Sequence, residues 1–250
     1  MVPIHTADPP PRRLFDSGSL HQYLYGHLYN NNGSKIIART TSQDRMLQSA
    51  EYFMAGFFGL QWQNNATLEV IIEQNLFNNS LAGYFQCNNS NGPQSAGGSN
   101  ASTTWQNIYL AAAQPRINAL VSPANFFTVA DVYNLQSLCA YETVALGYSG
   151  FCDLFTYQEW EGYEYAVDLS FAGNDAFQSP TGRAVGIAYV EEIRARLQHH
   201  LLTVADSSAN ITLDGMPSTF PLNQTLYFDF SHGESPKPAR RRSLHAAPLR

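Results

Sequence analysis

Residues 35–58, KIIARTTSQDRMLQSAEYFMAGFF, constrain the fold of this chain more than any other stretch. KIIA (35–38) is a short apolar run of strand type. After a polar break, Met46, Leu47, Ala50, Phe53, Met54, Phe57 and Phe58 recur at three-and-four spacing, so one face of a helix is core. Thr41, three residues ahead of Asp44, predicts a capping-box start. LEVIIEQ (68–74) and QTLYFDF (224–230) read as two further strands. Strand–helix, then a run of helices, then a strand predicts an α/β sheet with a helical insertion.

The remaining segments fill in that plan. Residues 1–13 are Pro-rich and predicted to be loose. SLHQYLYGHLY (19–29) has helical spacing through Leu20, Leu24 and Leu28. Residues 86–104, QCNNSNGPQSAGGSNASTT, read as a long polar loop. Thr128 with Asp131 opens a helix that carries Val132, Leu135 and Cys139 on one face. Thr156 with Glu159 opens another through Trp160, Tyr163 and Val167. Ser179-Pro180 opens a third, with Val190, Ile193 and Leu197 predicted inward, since proline suits the first helical position. SPKPARRRSLHAAPLR, within 233–250, reads as a disordered basic tail.

Charged residues make up only 14% of the chain, against 44% hydrophobic, well below the usual quarter. Asparagine takes their place. Seven Asn-X-Ser/Thr sequons occur, at Asn32, Asn65, Asn78, Asn88, Asn100, Asn210 and Asn223. Glycan replaces charge as a solubilising group only in the secretory pathway, so the expectation is a secreted glycoprotein. MVPIHTADPPPRRLF is not a signal peptide, and no run of about 18 apolar residues suggests a membrane span. Cys139 and Cys152, in LCAYETVALGYSGFC, can close a short loop and are expected to be disulfide-bonded, with Cα atoms within about 7 Å. Cys87 is left over. Residues 233–250 carry a net +4 and residues 1–13 a net +1, which leaves −11 on residues 14–232 within a formal total of −6. An acidic body argues against a nucleic-acid partner.

Two places carry candidate chemistry. In KIIARTTSQDR a strand ends, Arg39 follows, and a helix begins. Ligands in open α/β sheets bind beyond the carboxyl ends of strands, where a helix N-terminus also attracts anions. The Arg39 fork suits phosphate oxygens, and Arg45 sits one turn into the helix, able to contribute or to pair with a carboxylate. His232 likewise follows the strand YFDF, with Asp229 read as facing the other side of the sheet. No zinc spacing, P-loop, GxGxxG or GxSxG occurs, so neither a metal nor a cofactor is expected.

Four blocks together resemble a known family. IIARTTSQDRMLQSAEYFMAGF is similar to the second phosphate-binding segment of the histidine acid phosphatases, the branch that includes fungal phytases. FCDLFTYQEWEGYEYAVDLSFAGN resembles that family's Phe-Cys-x-Leu-Phe-Thr-x-x-Glu-Trp helix, and SPTGRAVGIAYVEEIRARL the helix after it. LNQTLYFDFSH resembles the strand that ends in Ser-His-Asp. The resemblance spans about residues 14–232. It implies a phosphoglycerate-mutase-like α/β sheet domain, incomplete here, from about 14–85 and 210–232, with a helical insertion domain at about 105–205. It also implies hydrolysis of a small phosphomonoester through a phosphohistidine, with phytate and general organic phosphates both open as substrates. Arg39 is then a phosphate-binding arginine, Arg45 a motif arginine in a supporting role, and His232 the phosphate-contacting histidine. Two departures stand out. Arg-His-Gly-x-Arg-x-Pro, which supplies the nucleophile, is not found, and Gly233 stands where the proton-donating Asp belongs, with Glu234 one residue on as a substitute donor. The expectation is a chain truncated at both ends and inactive by itself. The alternative is a non-catalytic secreted glycoprotein that binds phosphorylated ligands or serves a structural role.

Overall fold

The computed structural model describes residues 11–30, 33–75, 77–123, 126–204 and 206–232. Helix α1 (Pro11–Tyr25) leads into strand β1 (Ile36–Thr41), helix α2 (Asp44–Phe58) and strand β2 (Ala66–Ile71). The helices α3 (Gly97–Tyr109), α4 (Ala113–Asn118), α5 (Val129–Leu146), α6 (Tyr157–Asn174), α7 (Gly182–Leu197) and the single turn α8 (Ile211–Asp214) follow. The result is the expected α/β architecture with a large helical part.

Strands β1 and β2 pair in parallel, with Ile36 opposite Ala66 and Thr41 opposite Ile71. On the other side of β1 lies the segment predicted as a strand at 224–230. It joins by one parallel bridge, Arg39 to Asp229. The Arg39 N–H donates to the Phe228 carbonyl (2.8 Å) and the Phe230 N–H to the Arg39 carbonyl (2.9 Å). Before that bridge a side chain stands in for the backbone. Gln224 accepts from the Ile37 N–H through Oε1 and donates to the Ile37 carbonyl through Nε2. Thus β1 is central and almost wholly buried.

The sheet packs on α2. Ile36, Ala38, Phe53, Met54, Phe57, Trp62 and Ala66 form one core, with Phe228 and Phe230 against it. Leu110, Ala113, Ile117, Val132, Leu135 and Phe155 form a second core within the helical part. Two helix crossings are tight enough to need glycine. A methyl group on Gly18 would lie 2.1 Å from the Phe53 carbonyl oxygen where α1 crosses α2, and one on Gly98 would lie 2.2 Å from that of Ser170 where α3 crosses α6. Cys139 and Cys152 are bonded, with Cα atoms 4.9 Å apart, tying α5 to the 3-10 turn Gly150–Leu154. Cys87 is half-buried and free.

Several local expectations need correction. Thr41 is not a cap but the last residue of β1. The N-cap of α2 is Gln43, without a side-chain cap bond. Helix α1 begins at Pro11, inside the segment expected to be loose. The polar stretch 86–104 contains two 3-10 turns and the start of α3. Its helix is held by close glycine packing rather than by an apolar stripe, so apolar periodicity does not reveal it. Helix α7 starts after Thr181, not at Pro180. Its inward face is Gly182, Gly186, Ala188, Glu192 and Ala195, while Val190 and Leu197 are exposed. That face meets a polypeptide turn and a buried ion cluster, which call for small residues and a carboxylate. The predicted tail at 233–250 lies outside the described residues, as do residues 1–10.

The crossing at Gly98 sets up a paired comparison. Gly98→Ala should destabilise the protein by about 1–3 kcal/mol in urea unfolding, because the backbones must separate. Gly97→Ala, where the added methyl meets nothing within 4 Å, should leave stability unchanged or raised by about 0.5 kcal/mol. Equal effects at the two positions would contradict the close approach.

Candidate functional site

Arg39 lies within the sheet rather than beyond it, because β1 runs on to Thr41 instead of ending at Ala38. Its side chain is 2% exposed. Nε donates to Asp229 Oδ1 at 2.8 Å and Nη2 to Glu192 Oε2 at 2.7 Å, with Nη1 at 3.7 Å from Asp214 Oδ1. Arg196 shares Asp229 at 2.5 Å, and both guanidinium groups sit over the Phe220 ring. Tyr189 donates to the same carboxylate. Burial works to raise the Asp229 carboxyl, but Arg39 and then Arg196 outweigh it and hold it well below the usual carboxylate range. Glu69, opposite Arg39 across the ladder, is pushed up by burial. Asp214 is raised to about 8, first by burial and then by the neighbouring Glu192 charge. Four carboxyl groups and two guanidinium groups share this space, and the upward shift of Asp214 favours its neutral form, which lessens the excess of negative charge.

A second constellation forms where β1, β2 and the 228–230 segment all end. Arg45, in the first turn of α2, donates from Nε to Gln43 Oε1 at 2.9 Å. Its Nη2 lies 2.8 Å from His232 Nδ1. The other ring nitrogen, Nε2, lies 3.0 Å from Glu73 Oε2. Guanidinium nitrogens only donate and a carboxylate only accepts, so the ring carries its proton on Nε2 and a lone pair on Nδ1. Glu73 also accepts from Gln43 Nε2 at 2.6 Å and from the Tyr84 hydroxyl. Burial acts to raise the Glu73 carboxyl, yet the interactions with His232, Thr41 and Tyr84 prevail and hold it below its ordinary range. The Tyr84 ring meets the imidazole edge-on at 5.6 Å. Ser231 donates to the Leu81 carbonyl at 2.6 Å, anchoring the residue before the histidine.

Beside this group opens a cavity of 520 Å³, lined by Gln43, Arg45, Tyr84, Phe85, Ser90, Asn91, Asn174, Asp175, Gly182 and Val185. Arg45 is half-buried on its wall, and Nη1 makes no hydrogen bond among the described residues. A half-buried guanidinium on the wall of a cavity of mixed polar and apolar lining, at the carboxyl ends of parallel strands, is suited to an anion.

The two expected arginines therefore exchange places. Arg39, expected to share a cleft with His232, is enclosed by carboxylates and offers no face to a ligand. Arg45, expected only to support, touches His232. Glu234 lies outside the described residues. The sequons Asn78, Asn88, Asn100 and Asn223 are exposed, and Asn65 and Asn210 are half-buried. Asn210 Nδ2 donates to the Asn78 carbonyl. Asn32 is outside the described residues. Glu73 and Tyr84 did not figure among the expected site residues. Glu73 follows the apolar run of β2, so the strand-end reasoning applied to His232 would have found it. Among the described residues no group of histidine, cysteine and carboxylate side chains is arranged to hold a metal, and no helix is long and apolar enough to cross a membrane.

The sequence profile of the histidine phosphatase superfamily (branch 2) matches residues 12–235. The chain is 30% identical over 218 residues to the thiamine-repressible acid phosphatase pho4 of Schizosaccharomyces pombe, covering 86% of this chain and 47% of that protein. It is 32% identical over 235 residues to phytase A of Aspergillus oryzae, covering 88% and 49%. Among solved structures the phytase from D. castellii superposes with a TM-score of 0.65 at 22% identity, over 90% of this chain and 44% of that one. The chain thus spans about half the length of the relatives it matches.

The buried cluster has a pH consequence. The Asp214 carboxyl sits at about 8 in the folded protein against an ordinary 3.8. A raised carboxyl contributes stability that is complete below its unfolded value and is lost as pH rises through its folded one. Asp229 is depressed, so its contribution is already complete above 3.8 and constant across this interval. Between pH 5 and pH 8.5 the melting temperature should fall. Asp214→Asn, which imitates the protonated acid, should remove about 1–3 kcal/mol of that loss. Parallel melting-temperature profiles for the two proteins would exclude a proton on Asp214.

Proposed function

The chain belongs to the histidine phosphatase superfamily (branch 2), and we propose that it forms part of a secreted acid phosphomonoesterase of phytase-like type. The observation that carries the proposal is the Arg45–His232 pair, 2.8 Å apart, with Arg45 on the wall of the 520 Å³ cavity. A guanidinium and an imidazole at this spacing grip adjacent oxygens of one phosphoryl group and offset the charge that builds on it during transfer. The substrate is a small phosphate monoester, either phytate or a general organic phosphate.

In the family chemistry a histidine nitrogen attacks phosphorus as the ester P–O bond breaks. An acid protonates the departing alcohol, and water then cleaves the phosphohistidine. The Arg-His-Gly-x-Arg-x-Pro nucleophile motif is not among these 250 residues. Residues 1–250 alone are therefore expected to bind phosphate better than they turn it over. Four exposed sequons and the Cys139–Cys152 bond support passage through an oxidising, glycosylating compartment. The second reading, a non-catalytic phosphate-binding glycoprotein, has the same pair of residues in its favour. It predicts phosphate binding with no turnover even when a segment carrying Arg-His-Gly-x-Arg-x-Pro is supplied.

Hydrolysis of an aryl phosphate at pH 5 by residues 1–250 joined to such a segment tests the proposal. Arg45→Gln should lower kcat/KM by about 10²–10³-fold with little change in melting temperature. Arg39→Gln should act through the fold, destabilising by about 3–5 kcal/mol because it leaves buried carboxylates unpaired. Full activity in Arg45→Gln would remove Arg45 from the site.

A further inference from the structure

Glu73 has no assigned part in phosphate transfer, yet its carboxylate is the group behind His232. Its side chain is fully enclosed, and that of His232 is 2% exposed. A buried carboxylate without partners would take up a proton. This one is held ionised by side-chain donors, among them the His232 ring, Tyr84 and Gln43. Those donors come from three directions: the second residue after the 228–230 segment, the 3-10 turn Ser80–Phe85, and the N-cap of α2. The carboxylate is therefore fixed in position, and it fixes the ring in turn.

The charges around the imidazole are unequal. On its Nε2 side stands the Glu73 carboxylate. On its Nδ1 side stands the Arg45 guanidinium, with the Tyr84 ring packed on the imidazole, and Asp175 is an acidic residue in the lining of the cavity that Arg45 and Tyr84 also line. A phosphate that enters between Arg45 and Nδ1 takes the guanidinium hydrogen bond for itself and presents an oxygen to a nitrogen lone pair. Two acceptors facing each other repel, so one proton is needed there. A phosphate monoanion brings that proton with it. Its O–H proton passes to Nδ1, and the product is a dianion hydrogen-bonded to an imidazolium. Proton and charge balance with no outside donor. The imidazolium then lies between two anions, phosphate in front and Glu73 behind, an arrangement that favours the doubly protonated ring.

We propose that Glu73 is a positioning residue for the phosphate site: it fixes His232 with Nε2–H directed to the buried carboxylate and Nδ1 directed to Arg45, which lines the cavity, and it stabilises the imidazolium formed when a phosphate monoanion binds. The proposal rests on the reading of Arg45 and His232 as a phosphate site. It adds the ionic form of the ligand and the residue that selects it. Tight binding belongs to acid solution, where the monoanion is abundant, since the second ionisation of a phosphate monoester falls near pH 6.

The test uses the full-length protein labelled with 15N-histidine, with the His232 signals assigned by their loss in His232→Gln. Without ligand, the ring should show protonated Nε2 and unprotonated Nδ1. With saturating orthophosphate at pH 5, both nitrogens should be protonated. Glu73→Gln keeps the shape and an acceptor for Nε2–H but removes the charge. It should melt within a few degrees of the wild type, weaken orthophosphate at pH 5 by about tenfold, and lose the second ring proton in the bound state. Glu73→Leu should in addition abolish the Nε2–H tautomer. A wild-type ring protonated on Nδ1 without ligand, or unchanged orthophosphate affinity in Glu73→Gln, overturns the role of Glu73. Failure of orthophosphate to bind the wild type, with the Nε2–H tautomer present and dependent on Glu73, would overturn the phosphate-site reading and leave the positioning of His232 by Glu73 established.

Discussion

One buried guanidinium holds the sheet to its surroundings. Arg39 is central in β1, and its nitrogens reach Asp229 in the neighbouring segment, Glu192 on α7 and Asp214 at the end of α8. The backbone of the 228–230 segment contributes only one bridge to β1. The short ladder is supplemented by the Arg39–Asp229 ion pair and the Gln224 amide. A lone salt bridge in a core is weak evidence of stability, because desolvation offsets attraction. Here several carboxylates and a second arginine compensate one another, and removing a member leaves a buried charge exposed to the full penalty. Polar side chains therefore do in this sheet what longer strands do in others.

Two arginines six positions apart in sequence have opposite fates for geometric reasons. A residue inside a parallel strand whose neighbours cover both faces has no route to solvent. A residue just beyond the strand end, in the first turn of the next helix, faces the open crevice. Arg39 and Arg45 differ in chemistry not at all. What separates them is that β1 continues for three residues past Ala38, with Arg39, Thr40 and Thr41 all buried. Reading the strand as KIIA alone put Arg39 at the crevice. The full strand puts Gln43 and Arg45 there instead.

Much of the fold was legible because it rests on periodicity. The three-and-four pattern of α2 and the helices opened by Thr128 and Thr156 follow from local sequence, and both of those threonines form true capping boxes. The cysteine pair was legible from spacing, and the phosphate-binding segments from their resemblance. What sequence concealed depends on contacts between distant residues. Helix α3 is held against α6 through Gly98 and Gly173, which no hydropathy pattern reveals. The inner face of α7 includes Glu192, a residue that any apolar criterion assigns to the surface. Gln224 acts as part of a ladder through its side chain. Glu73 could be placed at a strand end from sequence, but its pairing with His232, 159 residues away, could not.

The direction of the strands explains why the site is assembled where it is. Residues 36–41, 66–71 and 228–230 run parallel, so their carboxyl ends lie at one edge. Each end delivers one member of the constellation: Arg45 with Gln43 after β1, Glu73 after β2, and His232 after the third segment. An antiparallel neighbour would have carried its final residue to the opposite edge. The same parallelism brings Arg39, Glu69 and Asp229 side by side in mid-sheet, since register is preserved from strand to strand. The structural ion cluster and the candidate phosphate site are thus two levels of one ladder. The lower level takes the residues in register within the sheet and saturates their charges. The upper level takes the residues that follow the strand ends, and Arg45 is left facing the cavity with guanidinium nitrogens to offer an anion.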